Sequence, residues 1–291
     1  MAKIGLGAVL GVGAEMSLPD WEWPIVCLAA EDAFSAATSD SNVPVADPEL
    51  DPRLSTGWTV RGTVTAQDAI LRLGPLNVGA ERVFYGWLLE SKATVGEFVL
   101  VIRGTDGITE WIEDAGFMPM EAHPVAGRVE TGFYSIYATM QLDGKPLVAA
   151  VLEAVGAGTL TITGHSLGAA LATYAAFELG QALGSRAAAR LVASPHPGDA
   201  EFSRVFGRRV ADHLMWANVA DIVPKVPAWF GYCPVPRVEL LNAKAAGLQI
   251  GGGLAGQHHA LSYACLLAKS LPQPEWLIPE DQPMAALVRE A

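Results

Sequence analysis

A chain of 291 residues suffices for one large domain with a well-buried core, and 51% hydrophobic against 17% charged residues excludes a disordered chain. The 19 Lys and Arg against 31 Asp and Glu give a net charge of −12; that sign repels phosphate backbones, and with no basic cluster it argues against nucleic acid as a partner. Cys27, Cys233 and Cys265 lie far apart with no CxxC, which excludes a cysteine zinc site and a dense disulfide framework and leaves room for one disulfide plus a free thiol.

No apolar run approaches the roughly 18 residues of a membrane span, so no transmembrane segment is expected. Residues 1–19 read as an N-terminal arm. Within them, 4–14 (IGLGAVLGVGA) has a signal-like outline, yet it carries four glycines after a single Lys3, a poor match to a secretory leader. A cytoplasmic protein is the default expectation, and export follows if residues 1–14 act as a signal.

The main domain is expected over 20–270. Residues 21–37 look helical, and the Pro-, Asp- and Ser-rich stretch after them is a loop. Residues 58–71 and 82–89 are rich in β-branched and aromatic residues around a turn-like GPLNVGAE, the pattern of antiparallel strands. FVLVI (98–102) has five apolar residues without alternation, a strand buried on both faces. A helical zone over 132–155 follows, then a strand at 159–163, a helix at 169–183, a strand at 189–193, a helix at 201–209, a strand at 214–219 and a last helix at 260–269. This alternation predicts an α/β fold: a mostly parallel central sheet with antiparallel N-terminal strands and helices on both faces. The tail, 271–291, has four prolines and is expected to pack as an irregular strap.

Gly164-His165-Ser166-Leu167-Gly168 joins the strand LTIT to the helix AALATYAAFELG. A GxSxG at such a corner is a nucleophile elbow, its glycines required because the turn leaves no room for side chains two residues either side of the serine. A serine hydroxyl needs a base and an acid to orient that base, following in the order Ser, Asp/Glu, His. His196 lies in a Pro-flanked turn and His213 opens a strand, whereas His258 and His259 follow the loop GLQIGGGLAGQ and start the last helix. His259 is the preferred base because it leads more directly into the helix, with His258 as the alternative. Among Asp199, Asp212, Asp221 and Glu239, Asp221 stands at the carboxyl end of a strand, where α/β sheets gather functional groups. Asp199 reads as a helix cap, and Asp212 falls at the strand's opposite end. The oxyanion donors are expected at the N–H of Leu167 and of Thr105, in the Arg103-Gly104-Thr105 loop that leaves the FVLVI strand.

With these residues in place the chain resembles the class 3 lipases, the family of fungal-type triacylglycerol lipases and their bacterial relatives. Arg103-Gly104-Thr105 followed by Glu110-Trp111-Ile112-Glu113-Asp114 resembles that family's oxyanion loop and lid helix, Gly132-Phe133 its GF element, and GHSLG its elbow. Ser194-Pro195 through Phe202 resembles its PRVG(N/D)xxF segment, Asn218 through Pro224 its NxxDxVP, and Phe230-Gly231-Tyr232 its GY turn. Ala169, Glu130 and His196 depart from the usual glycine, histidine and arginine. The resemblance implies an α/β-hydrolase fold and a triacylglycerol lipase or carboxylesterase that cleaves lipid or other esters through an acyl-enzyme, with no metal or organic cofactor. An esterase on soluble esters, an acyltransferase and a silent binding scaffold are the alternatives. Over 106–120, Ile108, Trp111 and Ile112 recur at helical spacing, which predicts a short helix with one apolar stripe, read either as a mobile lid through which the protein adsorbs to a lipid interface or as ordinary fixed core.

Overall fold

A computed structural model describes residues 18–39, 48–67, 82–105, 119–228, 231–278 and 286–291. The segment expected as a lid, with Ile108, Trp111 and Ile112, lies outside the described residues, as does most of the N-terminal arm.

Helix α1 (Glu22–Ser39) and a short turn of helix, α2 (Pro52–Ser55), precede β1 (Trp58–Gln67), β2 (Arg82–Ser91) and β3 (Glu97–Ile102). These three strands run antiparallel to one another in order. Two short strands, β4 (Met120–Ala122) and β5 (Arg128–Glu130), lead to α3 (Thr131–Tyr137), the hairpin β6 (Gln141–Leu142) and β7 (Lys145–Pro146), and α4 (Leu147–Val155). Then come β8 (Thr159–His165), α5 (Leu167–Leu183), β9 (Ala187–Val192), β10 (Gly198–Asp199), α6 (Ala200–Arg209) and β11 (Asp212–Asn218). After β12 (Tyr232–Cys233), β13 (Val238–Leu241) and β14 (Leu248–Ile250), helices α7 (Gly253–His258) and α8 (Ala260–Ala268) are followed by β15 (Val288–Glu290).

The main sheet has the order β13-β11-β9-β8-β3-β2-β1-β6-β7. From β3 through β8, β9 and β11 to β13 the pairing is parallel, as the unalternating apolar strands require. One face carries a core around Phe133, Ile162, Leu171 and Phe177; the other carries Trp23, Val26, Trp87, Trp216 and Tyr263, brought mainly by α1, the sheet and α8. Helix α5 is buried on every side from Leu167 to Phe177, and its alanines let it lie close against the strands.

Two expectations are corrected. The helical zone over 132–155 is two helices split by a hairpin at Asp143-Gly144, both at positive φ (47° and 78°), the signature of a tight turn that interrupts the helical period. The tail is more than a strap: Trp276 is buried and stacks on Trp21 at 4.5 Å, and β15 pairs with β14. The three cysteines are free thiols. Thr163 Oγ1 donates to the Arg190 carbonyl at 2.7 Å, so the buried Cys27 thiol donates to Thr163 Oγ1 at 3.4 Å. No helix among the described residues is long and apolar enough to cross a membrane.

Candidate active site

Strand β8 turns into α5 at Ser166, whose backbone stands at φ 58° and ψ −129°, a region sparsely used by residues with a Cβ. The corner is as tight as the motif implies: a Cβ on Gly164 would lie 2.3 Å from the Gly168 carbonyl oxygen, and one on Gly168 2.2 Å from that of Ile102. The Ser166 amide donates to the Val192 carbonyl at 2.9 Å. Thus the elbow is pinned to β9 as well as to its own strand.

Asp221 follows β11 at the carboxyl edge of the sheet and is buried, with 1% exposure. Its Oδ1 accepts the Val223 amide at 2.9 Å, and its Oδ2 accepts both the His258 Nδ1–H at 2.7 Å and the Tyr263 hydroxyl at 2.8 Å. On the far side of the same ring, His258 Nε2 lies 2.8 Å from Ser166 Oγ. With Nδ1 donating to the carboxylate, Nε2 is free to accept the serine proton. Burial, the largest influence, pulls the His258 pKa below its ordinary value; the Asp221 bond opposes this, and the neighbouring His165 charge adds to it.

The expectation that His259 faces the serine is corrected: the ring between Asp221 and Ser166 is that of His258. His259 is the N-cap of α8, and its Nδ1 accepts the Leu261 amide at 3.2 Å, so the ring is committed to its own helix. Leading directly into the helix, the feature that favoured His259, is what removes it from the site.

The other sequence candidates separate as follows. Asp199 caps α6 through the Phe202 amide at 2.9 Å, and Asp212 pairs with Arg190 at the opposite end of β11. Glu239 lies on exposed β13. His196 bonds the Pro227 carbonyl at 2.9 Å and His213 the Pro236 carbonyl at 3.0 Å. Of the departures from the family pattern, Glu130 caps α3 through the Phe133 amide.

Leu167 is the first residue of α5, so its N–H has no partner within the helix. The Thr105 loop abuts the elbow: a Cβ on Gly104 would stand 3.3 Å from Ser166 Cβ and 2.9 Å from the His165 carbonyl oxygen. Arg103, buried, secures that loop by donating Nε to the Phe84 carbonyl and a terminal nitrogen to the Gly104 carbonyl, each at 2.7 Å. Its guanidinium lies 3.6 Å from the Phe34 ring centre, a cation–π contact that suits a delocalised charge.

Sequence reasoning missed Tyr263, the bonds of Asn218 (named there only as the start of the NxxDxVP segment) and Glu31. The Asn218 amide donates to the Tyr263 hydroxyl at 3.0 Å, and its side chain donates to Gln257 at 2.9 Å, tying the acid's strand to the segment before His258. Two adjacent acids, Glu31 and Asp32, inside an otherwise apolar helix were the available signal for the third. Among the described residues, no group of three or more His, Cys, Asp or Glu side chains is placed to hold a metal ion.

A serine at a strand–helix elbow, linked through a histidine to a buried aspartate on a mostly parallel sheet, defines an α/β-hydrolase fold with a serine-centred site. Residues 99–231 match the model of the family "Lipase (class 3)", the family that the motifs resemble. The lipase of Rhizomucor miehei is 33% identical over 142 residues, which are 46% of this chain and 38% of that protein. The solved Rhizomucor miehei lipase in complex with its propeptide superimposes with a TM-score of 0.55 at 21% identity, over 75% of this chain and 66% of that one. A lipase from Rhizopus microsporus var. chinensis gives 0.53 at 22%, over 75% and 72%. These likenesses bear out the α/β-hydrolase fold, while the chain spans about two fifths of the curated relative it matches.

Proposed function

We propose that this protein is a serine ester hydrolase acting on lipid esters, a lipase of the class 3 type, with Ser166 as nucleophile, His258 as base and Asp221 as orienting acid. The observation that carries this reading is the unbroken line Asp221–His258–Ser166, with links of 2.7 and 2.8 Å. Ser166 Oγ attacks the ester carbonyl while His258 Nε2 takes its proton, and Asp221 stabilises the imidazolium so formed. The tetrahedral oxyanion is received by the N–H groups of Leu167 and Thr105, each worth roughly 3 kcal/mol in the transition state. His258 then protonates the leaving alcohol, and the acyl-enzyme is hydrolysed by a water that His258 deprotonates in turn.

A lipid-bearing interface is supported by exposed apolar residues on the segments that deliver the acid and the base: Val219 (39% exposed) and Ile222 (38%) beside Asp221, and Leu254 (42%) on α7 ahead of His258. The apolar stripe Ile108, Trp111 and Ile112 in the sequence 106–120 adds to it as the proposed lid. The test is labelling by a fluorophosphonate probe, with hydrolysis of p-nitrophenyl esters from C2 to C16 and of emulsified triglyceride. Loss of both labelling and turnover in Ser166→Ala is expected. An unlabelled, inactive wild-type protein would refute the reading, and turnover of short soluble esters alone would convert it to an esterase.

A further inference from the structure

Beneath the elbow lies a second pair, buried at His165 and partly so at Glu31, that the hydrolytic line does not use. His165, the residue between Gly164 and Ser166, directs its Nδ1 to Glu31 Oε1 at 2.9 Å and its Nε2 to the backbone carbonyl of His258 at 2.7 Å. Both partners are acceptors: a carbonyl has no proton to offer, and Glu31 Oε1 takes a second N–H, from Gly104, as an ionised carboxylate does; against the burial that pushes its pKa up, the His165 charge and bond then hold it below the ordinary carboxylate range. Both bonds are satisfied together only if both ring nitrogens donate, which makes His165 an imidazolium. The same Glu31 oxygen also accepts the Gly104 amide at 3.1 Å. A Cβ on Gly104 would lie 2.6 Å from that oxygen, so the loop has glycine where the carboxylate must approach.

We propose that Glu31, partly buried, and His165, buried, form an ion pair that positions both halves of the catalytic apparatus, Glu31 holding the oxyanion loop at Gly104 and the His165 ring holding the carbonyl of His258. The role rests on the hydrolase reading above; the charge state of His165 does not. One carboxylate on α1 thereby sets the distance between the oxyanion donors and the base, two groups brought by segments 154 residues apart in the chain (Gly104 and His258), and small misplacements between such groups are costly.

The pair is also an electrostatic neighbour of the base. The His165 and His258 rings lie 4.6 Å apart, tilted by 33°. The groups facing His258 are Asp221 and, through it, Tyr263 from one side, and His165 with Glu31 behind it from the other, with His259 next in the chain. A cation there disfavours a second proton on His258, and Glu31 keeps the pair near neutral at longer range. Burial alone would lower the His165 pKa; the Glu31 charge and bond reverse this and hold it above its ordinary value.

The test begins with Ser166→Ala protein labelled with 15N-histidine, where catalysis plays no part. NMR is expected to show both His165 ring nitrogens protonated at pH 7.5, and this state lost in Glu31→Gln. A neutral His165 there would overturn the pair, whether or not the wild type hydrolyses esters. In the active enzyme, Glu31→Gln is expected to lower kcat roughly tenfold or more with KM nearly unchanged, and the acid limb of the rate profile is expected to move up toward pH 6.5 in both Glu31→Gln and His165→Asn, with Glu31→Asp restoring part of the rate. Unchanged kcat and an unmoved acid limb in folded variants would overturn the positioning role. An inactive wild type that keeps a doubly protonated His165 would instead refute the hydrolase reading and leave the ion pair standing.

Discussion

Tyr263 donates its hydroxyl proton to Asp221 Oδ2 across 2.8 Å and accepts the Asn218 amide at 3.0 Å. The tyrosine thus joins the acid to the end of the strand that presents it and shares with His258 the oxygen that faces the base. Tyr263→Phe removes both bonds in a fully buried place, leaving a backbone N–H unmatched. The expected cost is about 1–3 kcal/mol in urea unfolding, with kcat lowered by less than about tenfold because the His258 bond to Asp221 remains.

Replacing the two adjacent histidines separates base from cap. His258→Ala is expected to reduce kcat by at least about 10⁴-fold in a folded protein. His259→Ala should keep kcat within a few-fold and lose about 1 kcal/mol of stability through the α8 cap. Steady-state kinetics on p-nitrophenyl butyrate beside denaturant curves read both; a silent His258→Ala would reassign the base.

Strain at the elbow makes the nucleophile costly to the fold. With φ 58° and ψ −129° at Ser166, Ser166→Gly should abolish turnover yet raise stability by about 1 kcal/mol, since glycine occupies this region without the Cβ clash. A thermal melt decides: an unchanged or lowered midpoint would mean the corner is relaxed.

Acid should weaken the protein through buried neutral rings. Burial, the leading cause in each, depresses His259 to about 4 and His123 to about 4, against an ordinary 6.5. Between those values the unfolded chain takes up protons that the folded chain refuses, so stability is present above pH 6.5 and is lost as pH falls toward 4. His165 has the opposite sign, its share being full below pH 6.5 and lost as pH rises through its elevated pKa. Urea midpoints from pH 7.5 to 4.5 should decline, and less steeply in His259→Asn, where asparagine keeps the cap without the titration.

Much of this was legible in residue patterns, and the failures have local causes. FVLVI and GHSLG carry their structure in themselves: unalternating apolar residues need cover on both faces, and the glycines of the elbow answer to carbonyls barely 2 Å from a would-be Cβ. Asp221 followed from its place after a strand. The choice between His258 and His259 turned on one peptide: His259 leaves the helical region at φ −60° and ψ 137°, which sends its ring to its own helix while His258 closes the previous one facing Ser166. Nothing in the spacing of two neighbours encodes that rotation. The Asp143-Gly144 turn was readable and was overridden by the helical residues around it. Glu31 was marked only by the adjacent acids in its apolar helix: its partners, His165 and Gly104, lie 134 and 73 positions away, and only the fold identifies them.

The pairing of β14 with β15 reaches farther than the edge it forms. Ile250, paired with Val288, accepts the Gln257 side-chain amide at 2.9 Å, and Gln257 in turn receives Asn218 immediately before the base. Strand β15 is in this sense a rear buttress for His258. Residues 286–291 therefore belong to the support of the His258 segment: a proteolytic nick that frees β15 from β14 is expected to loosen α7 and the His258 ring before the main sheet unfolds.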